Sequence, residues 1–161
     1  MAEQAHLAEL RTKPIGYAED YAAWVERQLM LLREHRFEEL DVDNLIDEVS
    51  DLGKSEFRQF RSSIEVVLVR MLKWDHQPRR RSTSWQISIA EHRSRIAEEL
   101  TDSPSYRSRQ DEAVLSAYRT ARFAAARETK LSLERFPTTC PYDWGAITSR
   151  DHDLPEDAAR K

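Results

Sequence analysis

The side chains best equipped for chemistry lie between residues 73 and 85. This stretch holds Lys73, Arg79, Arg80 and Arg81 together with Trp74, Gln77 and Trp85, and Ser82, Thr83 and Ser84 stand where a helix should begin. Guanidinium forks, hydroxyls and helix N-terminal N–H groups are what an anionic ligand needs. Neighbouring indoles can stack a nucleobase. The plainer reading puts both tryptophans in the core and pairs the arginines with an acidic helix earlier in the chain. It is the favoured one, because tryptophans at helix-face positions are mostly packing residues.

A second group is acidic: Glu38, Glu39, Asp41, Asp43, Asp47, Glu48 and Asp51. A calcium loop needs glycine at its sixth position and glutamate at its twelfth. Counted from Asp41 those positions are Ile46 and Leu52, so the loop fails. On a helix Asn44, Glu48 and Asp51 share a face, but negative charge at a helix start is favourable without any ion. Of the histidines, His6, His35, His76, His92 and His152, none forms a zinc-binding pair at helical spacing. The only Glu-x-x-His spacing, Glu3 to His6, lies near the N-terminus. His92 alone falls on an apolar helix face, where a single hydrogen bond would satisfy it. Cys140, the one cysteine, sits in TTCPY and reads as a half-buried loop anchor; as a nucleophile it would need a neighbouring base. Carboxylates are too common for any acid–base pair to stand out. No metal ligand set and no cofactor are expected. The candidate binding residues are Asn44, Glu48, Lys73, Gln77, Arg81, Ser84 and Trp85.

Composition removes several function classes. The three glycines, Gly16, Gly53 and Gly145, are far apart. A dinucleotide fingerprint, a phosphate-binding loop and a serine-nucleophile elbow all need clustered glycines, so none is present. One cysteine excludes an intrachain disulfide. A net charge of −4 gives no general attraction for nucleic acid. No run approaches the roughly 20 apolar residues of a membrane span, and the first residues lack the apolar core of a signal peptide. The expectation is a protein of the cytoplasm with no membrane contact.

Helical periodicity supplies the elements. Tyr21, Trp24, Val25, Gln28, Leu31 and Leu32 predict a first helix over about 18–35. Asp41 is the expected N-cap of a second, with Leu40 packing on Leu45 as a staple. The periodic face of that helix, expected to turn inward, is Leu45, Val49, Leu52, Glu56, Phe60, Ile64, Val67, Met71 and Trp74. Gly53 would kink or split it. Residues 64–72, IEVVLVRML, have strand character, yet the helical period continues on both sides, so helix is expected and this segment should be central. Pro78 ends it. Thr83 and Gln86 have capping-box spacing for a third helix to about residue 100, with Trp85, Ile89, His92, Ile96 and Leu100 inward. Ser103 and Pro104 should open a fourth, to about residue 130, with a face of Tyr106, Ala113, Val114, Ala117, Ala121, Ala124 and Ala125. The segment FPTTCPYDWGAI should be loop with one helical turn near 143–147.

These motifs together carry a resemblance. DYxxW at 20–24, FEELDVDNLIDEVSDLGKSE at 37–56, LKWDHQPRRRSTSW at 72–85, DSPSY at 102–106, AAARET at 124–129 and FPTTCPY at 136–142 resemble the bacterial family called domain of unknown function 29. The resemblance runs from about residue 17 to 155. It implies a small helical protein and carries no activity, cofactor or catalytic residue.

The fold expected is all-α, four-helix bundle-like, with a long central helix and a short C-terminal segment. The chain should divide into a flexible leader (1–16), one helical domain (17–155) and a tail (156–161). Charge is segregated: residues 1–60 hold 7 basic and 14 acidic side chains, and residues 61–100 hold 8 and 5. The leading functional reading is a non-enzymatic interaction or scaffold protein, meeting a protein partner or a second copy through a charged helical surface. The alternatives are nucleic-acid binding through Arg79, Arg80 and Arg81, or an enzyme site assembled from Asn44, Glu48, Gln77, Arg81 and His92.

Overall fold

The computed structural model of the chain describes residues 16–154; the expected leader, apart from Gly16, and the expected tail lie outside them. Among the described residues the structure is all-α, with no strand. The helices are α1 (Tyr21–Arg33), α2 (Val42–His76), α3 (Thr83–Asp102), α4 (Gln110–Thr129) and α5 (Trp144–Ser149). Short 3-10 turns occupy Phe37–Glu39, Pro78–Arg80, Pro104–Arg109 and Leu133–Arg135. These elements form two compact units, one up to Gly53 and one from Lys54, so the boundary falls inside α2.

In the first unit, Asp20 starts α1 by accepting the Ala23 N–H at 3.0 Å. The helix ends in a Schellman motif: Arg36 N–H donates to Leu31 O at 2.9 Å and His35 N–H to Leu32 O at 3.2 Å. His35 takes the left-handed conformation this requires, at φ 57°. Trp24, Gln28, Met30 and Leu31 are buried, and Leu40 packs on the last two. Asp41 caps α2 as its side chain predicts, accepting the Asn44 N–H at 3.4 Å. The helix then runs unbroken through Gly53, so the split allowed for at that residue does not occur.

In the second unit, residues 64–72 are helical, and α2 here is the core element. Phe60, Ile64, Val67, Leu68, Met71 and Leu72 are fully buried. A helix surrounded on nearly every side needs apolar residues on nearly every side, which explains the strand-like composition. Ile89 and Ile96 of α3 and Ala113, Ala117, Ala121 and Ala125 of α4 close on it, and Phe136 and Ile147 complete the core.

Two helix starts differ from expectation. α3 begins one residue early, with Ser82 at the N-cap and no side-chain cap. The capping box is not made because the Gln86 amide donates to the carbonyl of His152. Residues after Ser103 form a 3-10 segment, and α4 begins only at Gln110. The Ser103 N–H is held by Glu99 O at 2.8 Å, and Tyr106 N–H donates to Ser103 O at 3.0 Å, which tightens the turn. This places the Tyr106 ring on Phe57 and Phe60, at 5.4 and 5.1 Å.

Lys130, after α4, repeats the left-handed backbone at φ 62°. A Cβ is disfavoured there, so His35→Gly and Lys130→Gly should each stabilise the fold by about 0.5–1 kcal/mol in urea unfolding. Ala121→Leu should do the opposite, costing about 1–3 kcal/mol by overfilling the contact between α4 and the core.

Candidate functional site

The sequence candidates lie in both units, and each unit is described by itself. In the first, Asp41 gathers three side chains. Its Oδ2 accepts from Trp24 Nε1 at 3.0 Å and Asn44 Nδ2 at 2.7 Å, and its N–H donates to Gln28 Oε1 at 2.9 Å. The Asn44 amide, and then Trp24, hold the Asp41 carboxyl below its ordinary range against the effect of burial. Trp24 and Gln28 thus join α1 to the start of α2, and Asn44 is engaged in holding the Asp41 carboxylate between them. Glu48 is engaged too: Tyr17 OH donates to Oε1 at 2.6 Å and Tyr21 OH to Oε2 at 2.9 Å. The bond to Glu48 pushes the Tyr17 hydroxyl up to about 12. Tyr17 meets Trp24 edge-on at 4.9 Å, and Tyr21 stacks on it at 5.9 Å. The DYxxW motif is therefore one helix cap and two members of this aromatic group.

Beside the aromatic group lies a groove between α1 and the first turns of α2, with a volume of about 400 Å³. Its walls are almost wholly apolar: Val25, Leu29 and Leu32 on one side, Leu45, Val49 and Leu52 on the other, with Tyr21, Trp24, Gln28 and Glu48 at one edge. Leu32, Val49 and Leu52 were expected to face inward. They are instead exposed, Val49 by 68% and Leu52 by 62%. Ile46 and Val42 continue the exposed strip. The helical period located this face correctly, but a period says nothing about what covers it.

In the second unit the residues of the 73–85 stretch are tied to protein. Lys73 is 8% exposed, with Nζ 2.6 Å from Glu128 Oε2 and 4.6 Å above the Trp85 ring. Arg70 reaches the same oxygen at 3.0 Å. Burial works to raise Glu128, but these two cations outweigh it and its carboxyl lies below the ordinary range. Gln77 Nε2 donates to Thr129 O at 3.0 Å. Arg81 turns back to donate from Nε to Trp74 O at 3.0 Å, with its guanidinium 5.2 Å from the Trp74 ring. For Arg81 this backbone contact takes the place of the expected pairing with an acidic helix. Arg79, Arg80 and Ser84 remain exposed; Trp74 is buried and Trp85 lies under Lys73.

A small polar pocket of about 210 Å³ in the same unit is lined by Gln59, Ser62 and Ser63 of α2 and His92, Arg95 and Glu99 of α3. His92 Nδ1 bonds Ser88 O at 3.0 Å, the single satisfying bond expected of it. Arg95 is held by Glu91 at 2.6 Å. Glu99 Oε2 is buried without a hydrogen-bond partner, and burial, then the charge of Glu56, pushes its carboxyl up. No group of three or more His, Cys, Asp or Glu able to hold a metal ion occurs among the described residues. Burial pushes the Cys140 thiol up, the reverse of an activated nucleophile.

Three residues that no motif singled out, Arg93, Asp75 and Arg122, fix the C-terminal segment. Arg93 donates to Ala146 O, Ile147 O and Arg150 O at 3.0, 2.7 and 2.8 Å. Asp75 holds Arg150 at 2.6 and 2.9 Å and accepts from Tyr142 OH at 2.8 Å. Arg122 donates to Phe136 O and Leu133 O at 3.0 and 3.1 Å. Next to this cluster His152 is buried, its Nδ1 on Arg150 O at 2.8 Å, its ring 5.3 Å from Trp74 and its Nε2 without a partner.

Two pH dependences follow. Burial, then the positive charge of Arg93, lowers the His152 pKa in the folded chain, so the unfolded chain binds the extra proton first. Stability should be full above about 6.5, the ordinary histidine value, and fall as pH drops below it. His152→Asn should flatten that slope in unfolding measured across the range. Glu99 has the opposite sign: its folded pKa is raised, so its stabilising contribution is present in acid and lost as pH rises through the folded value. Glu99→Gln should therefore be more stable than the parent at neutral pH, and the difference should vanish in acid.

Comparison with known proteins agrees with the motifs. The family model described as Domain of unknown function DUF29 matches residues 17–152. No curated protein and no solved structure matches the chain. With the match covering most of its length, the chain belongs to the DUF29 family.

Proposed function

We propose that the protein is a non-enzymatic interaction protein, and that the groove between α1 and the first turns of α2 is the surface that receives a protein partner. The single observation that carries this reading is the exposure of Leu29, Leu32, Val49 and Leu52 around one apolar trough. Contiguous exposed apolar surface is unfavourable in an isolated soluble chain and marks interaction sites. The surface is apolar and the unit that carries it is acidic, which narrows the charged surface expected from the sequence. The candidate side chains of the 73–85 stretch support the reading indirectly. Lys73, Gln77 and Arg81 are spent on internal contacts, and neither Trp74 nor Trp85 offers a free ring to a base.

Photoreactive side chains placed at Val49 and at Leu29 test this in cells that make the protein. Both should give the same discrete adduct, and a probe at Phe123, exposed in the second unit, should not. Leu32→Glu should weaken adduct formation at least about tenfold while leaving the helical circular dichroism unchanged. Absence of a discrete adduct at both groove positions would end the reading.

A further inference from the structure

We propose that the occupant of the groove is a basic amphipathic helix of a partner protein, an inference that rests on reading the groove as a docking surface. Two packed helices offer apolar rows at helical spacing, Val25, Leu29 and Leu32 facing Leu45, Val49 and Leu52. A third helix with anchors at i, i+3 or i+4, and i+7 lays into such a trough. A flat apolar patch would not set that spacing; two parallel rows do.

Charge selects among helices. Residues 16–53 contain eleven carboxylates (Glu19, Asp20, Glu26, Glu34, Glu38, Glu39, Asp41, Asp43, Asp47, Glu48 and Asp51) and three arginines (Arg27, Arg33 and Arg36). Arg36 is already paired with Glu34 and Glu39, and Arg27 lies 3.6 Å from Glu39. Glu48 stands at one edge of the groove, while Asp43 and Asp47 are exposed on the far face of α2 and add to the negative charge of the unit as a whole. A second copy docking the same face would bring this acidic surface against itself, since a two-fold interface pairs identical patches. Like charges across an interface oppose binding, whereas lysines and arginines flanking the anchors of a partner helix would be drawn in.

The test uses the full chain and two labelled synthetic helices with identical leucine anchors, one flanked by lysines and one by glutamates, read by fluorescence anisotropy. The lysine helix should bind at least about tenfold more tightly at low salt, and the gap should shrink in about 0.5 M salt, where charges are screened within a few Å. Val49→Glu with Leu52→Glu should abolish binding; both side chains are largely exposed, so the unfolding midpoint should hold. Equal binding of the two helices, or none, overturns the proposal. So does a dimer in sedimentation that V49E/L52E dissolves, which would make a second copy the occupant. A crosslink from position 49 to residues before Tyr17 overturns it as well, by placing the chain's own N-terminal stretch there. If the in-cell adduct forms and the lysine helix fails to bind, the docking surface stands and its basic partner falls; if the adduct also fails, both fall.

Discussion

The constraint on which the second unit depends is that α2 must carry a wide apolar face between residues 60 and 74. Phe60, Ile64, Val67, Leu68, Met71 and Leu72 are fully buried, and Val69 and Trp74 nearly so. Only an α-helix can satisfy its own backbone groups in such surroundings without borrowing from neighbours. Everything around it is then small or made to fit: the alanine face of α4, the two isoleucines of α3, and the rings of Phe136 and Tyr106. Of the three cations in this segment, Arg61, Arg70 and Lys73, only Lys73 is buried. It is tolerated because Glu128 and the Trp85 face receive it, since a buried charge without a partner is strongly destabilising.

Arginine has an unusual share of the remaining work. Arg81, Arg93 and Arg122 all donate to main-chain carbonyls, and Gln77 and Tyr118 do the same through Thr129 O and Pro137 O. Helix ends and loops leave carbonyls that no regular structure pairs. The chain after α4 is mostly irregular, and side chains from helices far away in sequence supply the missing donors. In the FPTTCPY stretch it is Arg122 and Tyr118 that complete the hydrogen bonding, at Phe136 O and Pro137 O.

Much of this architecture was legible because it is local. The period of 3.6 marked each helix, Asp41 declared its cap, and one turn near Trp144 was foreseen. The all-helical reading of residues 64–72 followed from the pattern on either side. What could not be read involved partners distant in the chain. Gln86 leaves its capping box for His152, and Arg93 closes on residues more than fifty positions away; Arg81, by contrast, bonds a main-chain carbonyl only seven residues back rather than a carboxylate. Val49 and Leu52 show a different limit: they lie on the predicted face, yet that face is open. Asn44 and Glu48 were picked out for their chemistry, and the structure gives them partners in Asp41 and in Tyr17 and Tyr21.

The aromatic group around Trp24 has a spectroscopic consequence. The four indoles are Trp24, Trp74, Trp85 and Trp144, and only Trp24 belongs to the first unit. It is hydrogen-bonded to Asp41 and in ring contact with Tyr17 and Tyr21, each of which is bonded to Glu48. A chain retaining this one fluorophore would report on the first unit alone, with energy transfer from the two phenols as a second signal. A chain lacking only this indole would report on the other unit, so light emission can follow the two halves separately as they melt.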